Sequence, residues 1–124
     1  QEAARPLPDS AGVVRALQRL EADEGGYANH PGRPRGITTA TAAAAVMFAQ
    51  GGAPARASAG LAFIDTMRRA DGGYLATRGS GVADLLSTAT ALYAVESCGV
   101  ALDAHACRAS AAFVESLWRD SGAS

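Results

Sequence analysis

The stretch EADEGGY at residues 21–27 comes back as RADGGYL at residues 69–75. In a chain of 124 residues, a duplicated acidic–Gly–Gly–Tyr turn points to a duplicated supersecondary unit, so an internal repeat is sought before any site. Each copy follows apolar residues at helical spacing. Val13, Val14, Leu17 and Leu20 precede the first, and Leu61, Ile64 and Met67 precede the second. After each copy comes a Gly-rich loop, NHPGRPRG at 29–36 and LATRGSGVA at 75–83, too rich in breakers to be helix. A small-residue helix then follows: TTATAAAAVMFAQGG at 38–52 is set against LSTATALYAVESCGV at 86–100.

Working outward, the segments before the turns line up as ALQRLEADEGGY (16–27), FIDTMRRADGGY (63–74) and FVESLWRDSGAS (113–124). The sequence therefore reads as an N-terminal tail at 1–10, a first repeat at 11–52, a second at 53–100, and the opening outer helix of a third at 101–124. The prediction is an all-α fold of about five helices arranged as helical-hairpin repeats, with no convincing strand. Ser10, Thr38 or Thr39, Asp84 and Asp103 are the expected N-caps. Gly25-Gly26, Gly51-Gly52 and Gly72-Gly73 are the expected stops. Ala106, Ala109, Phe113 and Leu117 fall on one face of the last helix, while Met47, Phe48 and Tyr93 are expected in the core. A repeat protein buries its core between neighbours, so the last helix, with Trp118 and no second helix to cover it, points to a missing remainder or a partner chain.

Composition bounds the function. The formal charge of -1 leaves no basic face for nucleic acid. No apolar run approaches the roughly 20 residues that span a bilayer, so no transmembrane segment is expected. All eleven Lys and Arg residues are Arg, and about a quarter of the chain is Ala, the best helix former. The chain opens on Gln1, which points to a removed leader or a longer parent. Cys98 and Cys107 are too few for a disulfide scaffold; they are either a helix-hairpin disulfide or ordinary thiols, according to compartment. With His105 they give three ligand-type side chains and no fourth, and His30 has no second ligand at zinc spacing. No metal site and no cofactor are assigned.

The paired turns, the Pro–Gly loop and the helix opening Thr-Ala-Thr-Ala resemble the repeats shared by protein prenyltransferase β subunits and the squalene and class II terpene cyclases. The resemblance runs through Phe63, Ile64, Asp71, Gly72, Gly73 and Tyr74 and covers residues 12–124. It implies an α/α toroid in which 37–51 and 84–98 are inner helices, and 11–22, 56–70 and 103–119 outer ones. It further implies a prenyl or other apolar small-molecule ligand. A homo-oligomer or partner chain would complete the stack. In the family an inner helix opens with Asp-x-Asp-Asp-Thr in the cyclases or Asp-x-x-His-Thr in the prenyltransferases. Here Asp84 and Thr88 match the ends of both patterns, but the acid falls on Leu86 and the zinc ligand on Ser87. Leucine cannot donate a proton, and a serine hydroxyl replaces imidazole on zinc poorly. The matching stretch of the first repeat is read as Arg35–Thr39, which holds neither group.

Asp84 is the remaining catalytic candidate, and its structural alternative is an N-cap. Thr39, Phe48, Thr88 and Tyr93 are candidate substrate-binding residues, with Thr39, Thr41, Thr88 and Thr90 read alternatively as residues that cap helices or bond back to the preceding turn. Arg35 and Arg78, from the two equivalent loops with Arg33, are candidates for a diphosphate clamp, against the alternative of solvated loop arginines. The expectation is a toroid segment or subunit that is not catalytically complete alone. The alternative is a non-catalytic binding or assembly module that kept the fold.

Overall fold

A computed structural model describes residues 9–120; most of the N-terminal tail and the third turn at 121–124 lie outside the described residues. The described chain is all-helical, with α1 (Ser10–Gln18), α2 (Thr38–Gln50), α3 (Pro54–Asp65), α4 (Leu85–Ser97) and α5 (Ala104–Asp120). Among the described residues no strand forms; isolated antiparallel bridges join Glu21 to Tyr27, Arg68 to Tyr74 and Tyr74 to Asp84.

The repeat holds in three pairs of turn backbone bonds, with corresponding residues 47 positions apart. Ala28 N–H donates to the Leu20 carbonyl and Leu75 N–H to that of Met67. Ala22 N–H donates to Gly26 and Arg69 N–H to Gly73. Ile37 N–H donates to Tyr27 and Asp84 N–H to Tyr74. This spacing aligns Asp84–Thr88 with Ile37–Thr41, which corrects the sequence match to Arg35–Thr39 by two residues. The corrected stretch also lacks an acid or imidazole.

Two caps differ from the sequence reading. Asp9, not Ser10, caps α1, at φ 52° and with its carboxylate accepting from Gly12 N–H at 3.2 Å. Ile37 precedes α2 with no side-chain cap. Thr38 instead donates its hydroxyl to the Leu75 carbonyl, and its N–H to Ala76 at 2.8 Å, tying the start of α2 to the second unit's turn. Asp84 and Asp103 cap as expected, accepting from Ser87 N–H at 2.8 Å and Ala106 N–H at 2.7 Å. α1 and α3 stop at Gln18 and Asp65, short of the Gly pairs. The residues between wind into i→i+3 turns, such as Leu20 N–H to Leu17 and Met67 N–H to Ile64.

Packing follows residue size. α2 lies along α3 and beside α4. Close approach is allowed by Gly60, where a Cβ would stand 3.3 Å from that of Ala45. One core cluster joins Ala42 of α2, Ile64 of α3, Met67, Tyr74, and Ala91 and Ala94 of α4. A second joins Tyr27, Ala44, Phe48 and Ala57, with Val14, Leu17 and Leu20 against it. α5 is phased differently. Phe113 seats on Gly73 as Phe63 seats on Gly26, but 50 rather than 47 residues separate the two rings. Leu92 and Ser110 take the places of Ala45 and Gly60, so α4 and α5 stand apart where α2 and α3 interlock.

Candidate functional site

The start of α4 is where the resemblance puts catalytic groups, and its polar side chains are spent on the backbone. Asp84 Oδ1 accepts from Ser87 N–H, and Oδ2 accepts from the Ser87 hydroxyl at 2.9 Å. The carboxylate therefore satisfies one amide of the first turn, that of Ser87, which has no partner within the helix. Thr88 Oγ1 accepts from Tyr74 N–H at 2.9 Å and donates to the Asp84 carbonyl at 2.8 Å. Thr41 makes the same acceptor bond in the first unit, from Tyr27 N–H at 2.9 Å, but donates to the Tyr27 carbonyl at 3.3 Å. These two threonines clamp the tyrosine turns to α2 and α4, which accounts for their type: a short hydroxyl both accepts and donates at one point.

Of the candidate binding residues, Phe48 and Thr88 are wholly buried. Phe48 packs on Tyr27, ring centres 5.3 Å apart. Thr39 is half-buried at the start of α2. Tyr93, expected in the core, is 67% exposed, because it sits on a face of α4 that no described element covers. Met47 is half-buried rather than fully enclosed. Arg35 and Arg78 do converge, at Phe63 of α3. They line one small hollow with Glu24, Gly36 and Phe63. The Arg78 guanidinium lies 5.7 Å from the Phe63 ring centre, and Arg35 Nε is 3.9 Å from Glu24. The acidic residue of the turn thus has two uses: Glu24 faces Arg35, while its counterpart Asp71 accepts from Gly73 N–H at 2.9 Å.

Burial raises the phenol pKa values of Tyr27 and Tyr74 above the ordinary 10.0. Burial also raises the Cys98 thiol, which is half-buried and donates to the Ala45 carbonyl at 3.8 Å. Cys107 is exposed, and both cysteines are free thiols. Among the described residues no group of three His, Cys, Asp or Glu side chains converges as a metal site. No described helix is long and apolar enough to cross a membrane.

Sequence reasoning singled out Trp118 on the uncovered last helix but missed how far the exposed apolar surface extends along the α4 side. Every exposed large hydrophobic among the described residues lies past residue 81: Val82, Leu85, Leu86, Tyr93, Val100, Val114 and Trp118. Between α4 and α5 runs a groove of about 590 Å³ lined by Leu92, Leu102, Cys107, Ala111, Val114 and Trp118 among others. A patch of this kind on a folded chain marks a contact surface. The signal was present in the sequence as Leu85, Leu86 and Leu92 standing where the first inner helix has Thr38, Thr39 and Ala45. No family model, curated protein or solved structure matches the chain.

Proposed function

We propose that this chain is a segment of an isoprenoid-handling α/α toroid of the prenyltransferase β-subunit and terpene cyclase kind, contributing cavity wall rather than catalyst. The observation that supports this reading is the repeat itself. It sets two inner-type helices side by side, with Thr39, Ala43 and Val46 of α2 at the helical positions of Leu86, Thr90 and Tyr93 of α4. None of the six is buried. They form a strip of aliphatic and aromatic surface with three hydroxyls, from Thr39, Thr90 and Tyr93, suited to an extended prenyl chain rather than to a polar metabolite. Asp84, engaged twice by Ser87, serves the helix, and the acid or zinc of such a toroid would come from other repeats.

Calorimetric titration of the chain with farnesol and with farnesyl diphosphate tests the proposal. Saturable binding is expected, weakened about tenfold by Tyr93→Glu or Leu86→Glu at an unchanged melting temperature. Heat no larger than dilution for both compounds would retire the ligand role. The alternative of a pure assembly module would then stand, favoured by the exposed apolar end.

A further inference from the structure

The hollow that Arg35 and Arg78 share has a counterpart one unit further on. In the first unit it is bordered by the Phe63 ring, seated on Gly26, and by Glu24, Gly36 and Arg35. A visitor from the second unit's loop closes it. The Arg78 guanidinium lies 5.7 Å from the Phe63 ring centre, and a Cβ on Gly79 would stand 2.9 Å from Arg35 Nη1. Only about 10 Å³ stays open. In the second unit the same place is bordered by Phe113, seated on Gly73, with Asp71 for Glu24, Ala83 for Gly36 and Val82 for Arg35. Arg69 lines it as well and supplies the cation that Val82 does not. Here about 450 Å³ is open. Ring, carboxylate and resident arginine all recur; among the described residues the visiting arginine does not.

From this correspondence we propose that the second hollow binds an arginine side chain presented by a partner's loop, in the place that Arg78 takes in the first. The charges agree. The first hollow holds one carboxylate and two guanidinium groups, while the second holds one of each until the visitor enters. Asp71 commits Oδ1 to Gly73 N–H at 2.9 Å, which leaves Oδ2 as an acceptor. The 8% of Phe113 that stays exposed borders the same hollow. A guanidinium suits both groups, because its flat face lies against a ring while its edge donates to a carboxylate. Arg69 does not fill the hollow itself: it is exposed, and the open volume is what remains with Arg69 in the wall. The inference does not rest on the isoprenoid reading, and it uses no residue of the prenyl strip.

Titration of the isotope-labelled 124-residue chain with N-acetylargininamide, followed by NMR, is the test. The amide signals of Gly73 and Ala83 are expected to shift saturably, with a dissociation constant on the order of millimolar. The citrulline analogue has the same shape and no charge, and should bind at least about fivefold more weakly. Asp71→Asn should weaken N-acetylargininamide to a similar degree, since the asparagine oxygen still accepts from Gly73 N–H and only the charge is lost. Arg78→Ala empties the first hollow and should add a second set of saturable shifts, at Gly26 and Gly36, that the wild type lacks. The comparison of the two analogues uses the wild-type chain, so it decides the matter whether or not a variant folds. No saturable shift at Gly73 and Ala83 overturns the inference. So do equal affinities for the two analogues, which would show that the charge goes unread. Binding confined to the first hollow of Arg78→Ala overturns it too, because ring, carboxylate and resident arginine would then not suffice.

Discussion

Thr88 Oγ1 lies 2.9 Å from the backbone nitrogen of Tyr74, and Thr41 Oγ1 lies 2.9 Å from that of Tyr27. In each unit one hydroxyl fixes the turn to the helix that follows it. Replacing Thr88 by Val keeps the shape and strands a buried N–H, a loss of about 1–3 kcal/mol. Thr88→Ser should retain most of the stability. Urea unfolding distinguishes the two; equal destabilisation by Val and Ser would show that packing, not the hydrogen bond, dominates.

Asp84 is expected to act as a cap. Asp84→Ala should cost about 1 kcal/mol, and Asp84→Asn much less, because asparagine caps as well as aspartate does. Thermal melts of both variants measure this. A prenyl-binding signal lost in both variants at unchanged melting temperature would assign the carboxylate to a ligand instead.

Three turn glycines should separate backbone conformation from crowding. Gly32, at φ 77°, has nothing within 4 Å of an added Cβ, so Gly32→Ala should cost only about 1–2 kcal/mol for the left-handed backbone. Gly72, at φ 91°, would place its Cβ against the backbone of Ala109 in α5, which has no room to yield. Gly72→Ala should cost about 1–3 kcal/mol more and loosen α5, visible in Trp118 emission. Gly26→Ala, which meets the Phe63 ring instead of backbone, should fall between them. A Gly72 variant no worse than the Gly32 variant would mean that α5 contributes little to the fold.

Alkaline pH should destabilise the chain. The folded-state pKa of Tyr74 is raised by burial above the ordinary 10.0. The unfolded phenol therefore ionises first, so its contribution is complete below about pH 10 and is lost as pH climbs through the raised value. Tyr27, raised mainly by burial, and Cys98, raised from 9.0, act in the same direction, and Cys98 begins to act lower. Melting temperatures across the alkaline range should fall less steeply in Tyr74→Phe than in the wild type. Parallel curves would show that Tyr74 does not titrate differently in the two states.

Local chemistry determined much of this protein from its sequence alone. Helix content, the Gly–Gly–Tyr turns, the caps at Asp84 and Asp103 and the pairing of Phe63 with Phe113 follow from propensity, spacing and turn residues, which act within a few residues of chain. The helix ends at Gln18 and Asp65 were less legible, because i→i+3 turns extend the apolar spacing past the last α-helical residue. Tertiary structure decided what each apolar or charged side chain meets. The sequence motif TAT does not reveal that Thr41 and Thr88 serve turns fourteen residues earlier. Tyr93 of α4 and Phe48 of α2 are both aromatic residues at helical positions, yet one is 67% exposed and the other sealed, because among the described residues only Phe48 has a packed neighbouring face. Arg35 and Arg78 come from different units and meet over Phe63 of an intervening helix. The open end has the same origin: three more residues before α5, with Leu92 and Ser110 where Ala45 and Gly60 allow contact, hold two helices apart. That outcome depends on the sum of side-chain volumes across a junction, which no single stretch of sequence contains.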